Sequence, residues 1–269
     1  MQVSTAAIIC IIIAMLLGII VPIAMLLFLR KRTGLSTKAF WVGCIVMFLF
    51  ALTLESLLHQ AVYSSVIGQK IWNDVWLYAI YGGIMAGLFE ETGRFLAFKF
   101  ILKREQESDG NALLYAAGHG GFEMFAILFF AMLNNLTYAM VMNHPAKMAQ
   151  VFEHSTPEQA EQIRQVYQLL AVTPAWNYLL AIAERGAAIL LQFGLTTFVW
   201  FAVKKGGKKL WLLAVAFLLH AFSDASTILV NEFTNNAVLT EGYVWVMALI
   251  VAAAAWILWK KETKTIEEN

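Results

Sequence analysis

Charge is scarce in this sequence, proline and cysteine are scarcer, and no linker divides it. Only 14% of the 269 residues are charged, where a soluble globular surface draws on about a quarter, so water is not the solvent this chain is built for. The four prolines are scattered, and no run of Pro, Gly or Ser is long enough to separate two domains. A net charge of +1, with the basic residues spread over short loops, excludes a nucleic-acid surface. The two cysteines, Cys10 and Cys44, fall toward opposite depths of separate apolar segments, too far apart to bridge, and read as small packing residues. Neither an internal repeat, as many transporters carry, nor an HExxH zinc motif is present.

What the chain has is apolar side chain, 60% of all residues, with a mean hydropathy of +0.68. A helix needs roughly 20 mostly apolar residues to cross about 30 Å of hydrocarbon at about 1.5 Å per residue. Seven segments meet that length: 6–29, 39–62, 74–102, 112–142, 176–203, 210–230 and 243–259. The first is too long for a signal-peptide core and is followed by Arg30, Lys31 and Arg32 instead of a cleavage site, so it is expected to stay in the mature protein.

Basic residues near spans stay on the cytoplasmic side. Fourteen of the nineteen lysines and arginines fall on one side: Arg30, Lys31, Arg32, Lys38, Lys99, Lys103, Arg104, Lys204, Lys205, Lys208, Lys209, Lys260, Lys261 and Lys264. Lys70, Lys147 and Arg164 lie opposite, and Arg94 and Arg185 lie within spans. The expected fold is all-α, a polytopic membrane helix bundle of about seven transmembrane helices with its N-terminus outside and its C-terminus cytoplasmic. A single membrane domain, 1–269, is the simplest organisation. The longest extramembrane stretch, 144–174, holds Thr156, Pro157 and Gln159, a cap, N1 proline and capping-box partner that predict a short helix near 156–171. Ala160, Ile163, Tyr167 and Leu170 share one face of it, as an interfacial helix on the outer headgroups requires.

Each ionisable side chain in a span costs about 2.5–3.5 kcal/mol even on lenient insertion scales. The third span nevertheless carries Glu90, Glu91 and Arg94, the fourth His119 and Glu123, the fifth Glu184 and Arg185, and the sixth His220 and Asp224. Glu90 with Arg94, His119 with Glu123, and His220 with Asp224 are each four apart, one helix face and one turn from each other. From the cytoplasmic end, Glu90 lies roughly 20 Å, His119 roughly 12 Å and His220 roughly 16 Å deep, so the patches can meet in one layer.

Carboxylates and histidines in a low-dielectric layer are suited to activating a water molecule, which makes hydrolysis the leading reaction class. Paired Glu90 and Glu91 suit acid and base work, with Arg94 placed to hold one of them ionised. Which glutamate does which stays open. His119 and His220 have two readings. They ligate a divalent metal such as zinc with Glu123 or Asp224 completing the shell, or, with no metal at all, they donate hydrogen bonds to the water and to an oxyanion. Internal ion pairs that only pin helix register are the structural alternative.

Glu184 and Arg185 are adjacent, point about 100° apart and should reach different neighbours, as structural groups. Glu55 and His59 lie near the outer end of the second span, where the interface is within reach, and stay outside the site. Asn134 and Asn135 read as helix-to-helix hydrogen bonders. Gly83 and Gly87 thin the third span for close packing, while Gly118, Gly120 and Gly121 around His119 also leave room for an extended peptide.

The Glu-Glu-x-x-Arg of Glu90, Glu91 and Arg94, the helix with His119 and Glu123, and the His-x-x-x-Asp of His220 and Asp224 resemble the YhfC family of bacterial membrane proteins over most of the chain. That family is grouped with the PrsW proteases and the type II CAAX prenyl endopeptidases, intramembrane proteases variously called glutamic-type or metalloproteases. The resemblance implies a multi-pass protein of the bacterial plasma membrane. It implies a glutamate-activated water attacking a peptide bond, with Glu90 and Glu91 as the pair, Arg94 supporting them, and His119 and His220 binding water, oxyanion or metal. In the CAAX endopeptidases the arginine usually follows the pair by one more residue and asparagine often stands at the Asp224 position, so prenylated substrates are not implied. The PrsW proteins match at Glu123, His220 and Asp224 but more often carry lysine at the Arg94 position, and their likeness suggests a membrane-anchored regulatory protein or peptide as substrate. The rival readings are a proton- or ion-coupled transporter and a non-enzymatic scaffold that binds transmembrane helices.

Overall fold

In the computed structural model, residues 2–267 are described, and the side chains of 264–267, Lys264 among them, lie outside the described set. Helix accounts for nearly all of it, and no strand occurs among the described residues. The helices are α1 (Thr5–Thr33), α2 (Lys38–Tyr63), α3 (Val66–Trp72), α4 (Val75–Leu96), α5 (Gly110–Met142), α6 (Pro145–Glu153), α7 (Pro157–Val172), α8 (Ala175–Lys205), α9 (Trp211–Thr234) and α10 (Ala237–Glu267).

Among the described residues six helices, α1, α2, α5, α8, α9 and α10, are long and apolar enough to cross a membrane. The chain is thus a polytopic helical membrane protein. The third expected span is α4, 22 residues long and carried on by a wider π turn over Ala97–Ile101. It falls outside the six because it holds Glu90, Glu91 and Arg94, the charges that make it interesting. Wider π turns also interrupt α2 over Met47–Glu55 and α5 over Phe125–Phe129, and such bulges often sit at functional sites.

The chain separates into two compact units, Met1–Val21 with Met124–Ala183, and Pro22–Glu123 with Glu184–Asn269. In the first, Asn143 clamps the chain start, its Oδ1 accepting from Val3 N at 2.8 Å and its Nδ2 donating to Val3 O at 2.9 Å. Helix α7 begins at a capping box, Thr156 Oγ1 accepting from Gln159 N and Gln159 Oε1 accepting from Thr156 N. Its Tyr167 and Leu170 are buried, while Glu158, Glu161, Gln162, Gln165 and Gln168 are exposed. Asn134 is exposed and Asn135 half-buried, and neither bridges to another helix by a hydrogen bond among the described residues, contrary to the role expected of them.

The second unit holds every residue singled out for chemistry. Its apolar core is built on Phe98, Leu102, Tyr115, Leu195, Trp200, Phe201 and Leu212, each at most 2% exposed. Lys38, at the start of α2, donates at 2.5 Å to Oε1 of Glu105 in the loop between α4 and α5 and holds that carboxyl below its ordinary range. Glycines set how closely the helices approach. A Cβ on Gly83 would lie 2.2 Å from Ala221 O, and one on Gly87 3.1 Å from Phe217 O, so α4 lies almost backbone to backbone on α9. A Cβ on Gly118 would lie 1.9 Å from Phe40 O, and one on Gly43 2.4 Å from Tyr115 O, which brings α2 onto α5.

The glycines around His119 therefore leave no slot for a peptide. Gly118 is filled by α2, Gly120 meets the Gln192 side chain at 3.2 Å, and Gly121 meets Pro22 at 3.1 Å. Gly118→Ala is expected to cost about 1–3 kcal/mol by overpacking, read as a loss of folded protein in a reversible unfolding assay. Gly242→Ala, with nothing within 4 Å of the new Cβ, is the control expected to be silent.

Candidate active site

Packing α4 on α9 and α5 beside α4 places the ionisable groups of three helices in one buried layer. Arg94, fully buried, donates from one terminal nitrogen to both oxygens of Glu91 at 2.6 and 2.7 Å and from the other to Gln192 Oε1 at 2.5 Å. Its distance to Glu90 is 3.7 Å, so the closer partner is the residue three positions back, not four. His119 Nε2 donates to Glu90 Oε2 at 2.8 Å, and Gln192 Nε2 donates to the same oxygen at 3.0 Å. His220 Nδ1 donates to Glu91 Oε1 at 2.7 Å. The Tyr115 ring stacks on His119 with centroids 5.8 Å apart.

The seven candidate residues thus occupy one connected set. Glu90, Glu91, Arg94, His119 and His220 are linked directly. Glu123 joins through Gln192, whose Nε2 donates to Glu123 Oε2 at 2.9 Å. Asp224 Oδ2 lies 3.6 Å from His220 Nε2, at the rim. Pairing runs chiefly between helices: residues on one face of a helix point the same way, so the groups that meet them come from the helix opposite.

The two glutamates differ sharply in surroundings. Both oxygens of Glu91 accept from Arg94, and one accepts from His220 as well, deep in the protein. Glu90 has one oxygen held by two donors, while Oε1 accepts no hydrogen bond among the described residues and has His220 Nε2 3.9 Å away. Glu90 also lines a cavity of about 470 Å³ together with Glu55, His59, Glu123, Arg185, His220 and Asp224. This cavity runs along α2, α4, α5, α8, α9 and α10 as far as Tyr63 and Tyr78, where α2 ends and α4 begins.

Three placements differ from the sequence reading. Glu55, set aside as an interface residue, is buried and lines the cavity, its Oε1 accepting from His59 Nε2 at 3.1 Å while His59 Nδ1 meets Tyr81 OH at 2.9 Å. The π turn ending at Glu55 re-aims a side chain whose depth was counted on regular helical rise. Glu184 and Arg185, expected to diverge, pair with each other, and Arg185 also donates to Glu123 Oε1 at 2.8 Å. The long guanidinium stem spans the angle that separates two adjacent Cβ atoms. Gln192 was passed over altogether. An amide in the apolar run Ile189 to Leu195 is as conspicuous as a charge.

Gln192 is 3% exposed and is the one side chain that touches Arg94, Glu90 and Glu123 together. Gln192→Leu is expected to cost about 1–3 kcal/mol through the buried partners it leaves unpaired. Gln192→Glu, which sets a further carboxylate against Glu90 and Glu123, is expected to cost more. Comparison of their reversible unfolding decides the order, and equal stability of all three forms would remove Gln192 from the layer.

Among the described residues no three His, Cys, Asp or Glu side chains are arranged to hold a metal ion. His119 spends Nε2 on Glu90, and Glu123 is engaged by Gln192 and Arg185. As they stand these donors do not fit a metal.

Long apolar helices that hold a buried layer of acid, guanidinium and imidazole beside a cavity define a polytopic membrane protein with a buried polar centre. The chain belongs to the YhfC family: the model of that family, described as YhfC intramembrane metalloprotease, matches residues 16–244. A Bacillus subtilis (strain 168) protein, named as the uncharacterized membrane protein YhfC, is 30% identical over 262 residues, covering 96% of this chain and 97% of its own length. No solved structure matches the chain. The family description indicates a protease and is consistent with a divalent metal, although the donors here are not gathered for one.

Proposed function

We propose that this chain is an intramembrane endopeptidase that cleaves membrane proteins or membrane-bound peptides, with Glu90 as the base that activates water. The observation that carries the reading is the asymmetry of Glu90: one oxygen is fixed by His119 and Gln192, and the other accepts no hydrogen bond beside a cavity. A fixed carboxylate with one open oxygen can take a proton from a water placed in the cavity as that water attacks a peptide carbonyl. Doubly protonated, His220 donates through Nδ1 to Glu91 and directs its Nε2–H toward the same place, where it stabilises the oxyanion. The protonated Glu90 then returns the proton to the leaving amine. Arg94 keeps Glu91 ionised and Glu91 orients His220, so both act through positioning. Glu123 and Arg185 hold Gln192 from the far side, and Asp224 faces His220 at the cavity rim.

The topology belongs to the same proposal. Helix α4 crosses the membrane as a seventh span in the plasma membrane, with the N-terminus outside and the C-terminus in the cytoplasm. The whole chain, 1–269, acts as one membrane domain with the helix near 156–171 on the outer headgroups. The basic residues at the ends of α1, α8 and α10 support this orientation. The purified chain in lipid nanodiscs, incubated with a library of transmembrane peptides, is expected to yield cleavage products that Glu90→Gln of equal thermal stability does not. Identical products from both proteins would end the proposal.

A further inference from the structure

We propose that the cavity holds a subsite for a cationic side chain, so that the peptide accepted presents a lysine or arginine beside the bond to be cleaved. The substrate class rests on the protease reading, but the subsite does not. Five carboxylates line the cavity, those of Glu55, Glu90, Glu123, Glu184 and Asp224, against one guanidinium, Arg185, and the imidazoles of His59 and His220. Arg185 is already consumed, with one terminal nitrogen on Glu123 and the other on Glu184. Glu90 is held by His119 and Gln192.

The remaining acids are the ones short of partners. Among the described residues Asp224 accepts no hydrogen bond, and His220 Nε2 lies 3.6 Å from it. Glu55 is buried and, among the described residues, its carboxylate pairs with His59. Ser223 supplies an independent sign of a ligand: it lines the cavity, is 2% exposed, and its Oγ has no hydrogen-bond partner among the described residues. Buried polar groups ordinarily find partners, and a hydroxyl beside two under-engaged carboxylates is an acceptor set that a substrate's N–H groups can complete. An ammonium or guanidinium offers several donors and the missing charge at once. Leu191, Ile228, Val244 and Met247 supply apolar wall for the methylene stem of such a side chain.

The test measures binding in the full chain carrying Glu90→Gln, in lipid nanodiscs, so that no cleavage intervenes. The probes are three labelled transmembrane peptides identical except for a central lysine, norleucine or glutamate. The lysine peptide is expected to bind at least about tenfold more tightly than the norleucine peptide, the step set by one favourable ion pair, with the glutamate peptide weakest. Asp224→Asn should remove most of that preference, and Glu55→Gln is the second variant should Asp224→Asn fail to fold. Equal affinity for lysine and norleucine overturns the proposal, as does a preference that survives both substitutions. Zinc binding that Asp224→Asn abolishes, with no lysine preference, also overturns it, because the acids then serve a metal. A lysine preference in a chain that cleaves nothing keeps the subsite and removes the protease reading, while cleavage of neutral peptides without preference does the reverse.

Discussion

Glu90→Gln is expected to lower peptide-bond hydrolysis by about 10²–10⁴-fold, the usual contribution of a positioned general base, while leaving the helices folded. Glutamine keeps the size of the side chain and a carbonyl oxygen that His119 and Gln192 can still meet. What it loses is the basic oxygen at the cavity. Glu91→Gln acts differently, because Glu91 lies behind His220 and is doubly held by Arg94. Its loss should lower activity through a displaced His220 and should lower stability too, since Arg94 then lacks its closest counter-charge. Purified variants compared for kcat and for thermal midpoint separate the two cases. Glu90→Gln that keeps full rate would show that the open oxygen takes no part.

Arg94→Met is expected to be the most destabilising single change in the layer, costing about 3–5 kcal/mol, as removal of one partner from a buried ion pair does. Both oxygens of Glu91 lose their donor deep in the protein, Gln192 Oε1 loses another, and Glu90 loses a nearby positive charge. Arg94→Lys should rescue only part, because a single ammonium cannot hold Glu91 and Gln192 in the geometry of the guanidinium fork. The double variant Arg94→Met with Glu91→Leu should recover stability relative to Arg94→Met alone, since it deletes the charge left unpaired. Yields of folded protein and reversible unfolding check the series. No recovery in the double variant would mean that Arg94 acts through packing alone.

The legible part of this protein was its helices and the identity of its polar layer. Apolar runs of spanning length have one use, and Glu90, Glu91, Arg94, His119 and His220 stand out because charge in such runs is costly. Spacing of four told which residues share a face, but not what faces them. That His119 meets Glu90 and His220 meets Glu91 depends on how closely Gly83, Gly87, Gly43 and Gly118 let the helices approach. The role of Glu55 was hidden for a related reason. A π turn has no signature in the pattern of apolar residues, and it ends on that residue. Gln192 was legible in principle, as an uncharged polar residue whose burial needs the same explanation as a charge.

If this buried layer cleaves peptide bonds, new protein N-termini will be found in membranes of cells carrying the unmodified chain and not in those of cells carrying its Glu90→Gln variant or neither, and their sequences will give the substrate and the bond. The same set of termini in all three, with both proteins accumulating equally, would contradict it and turn attention to transport or helix binding by the same charge layer.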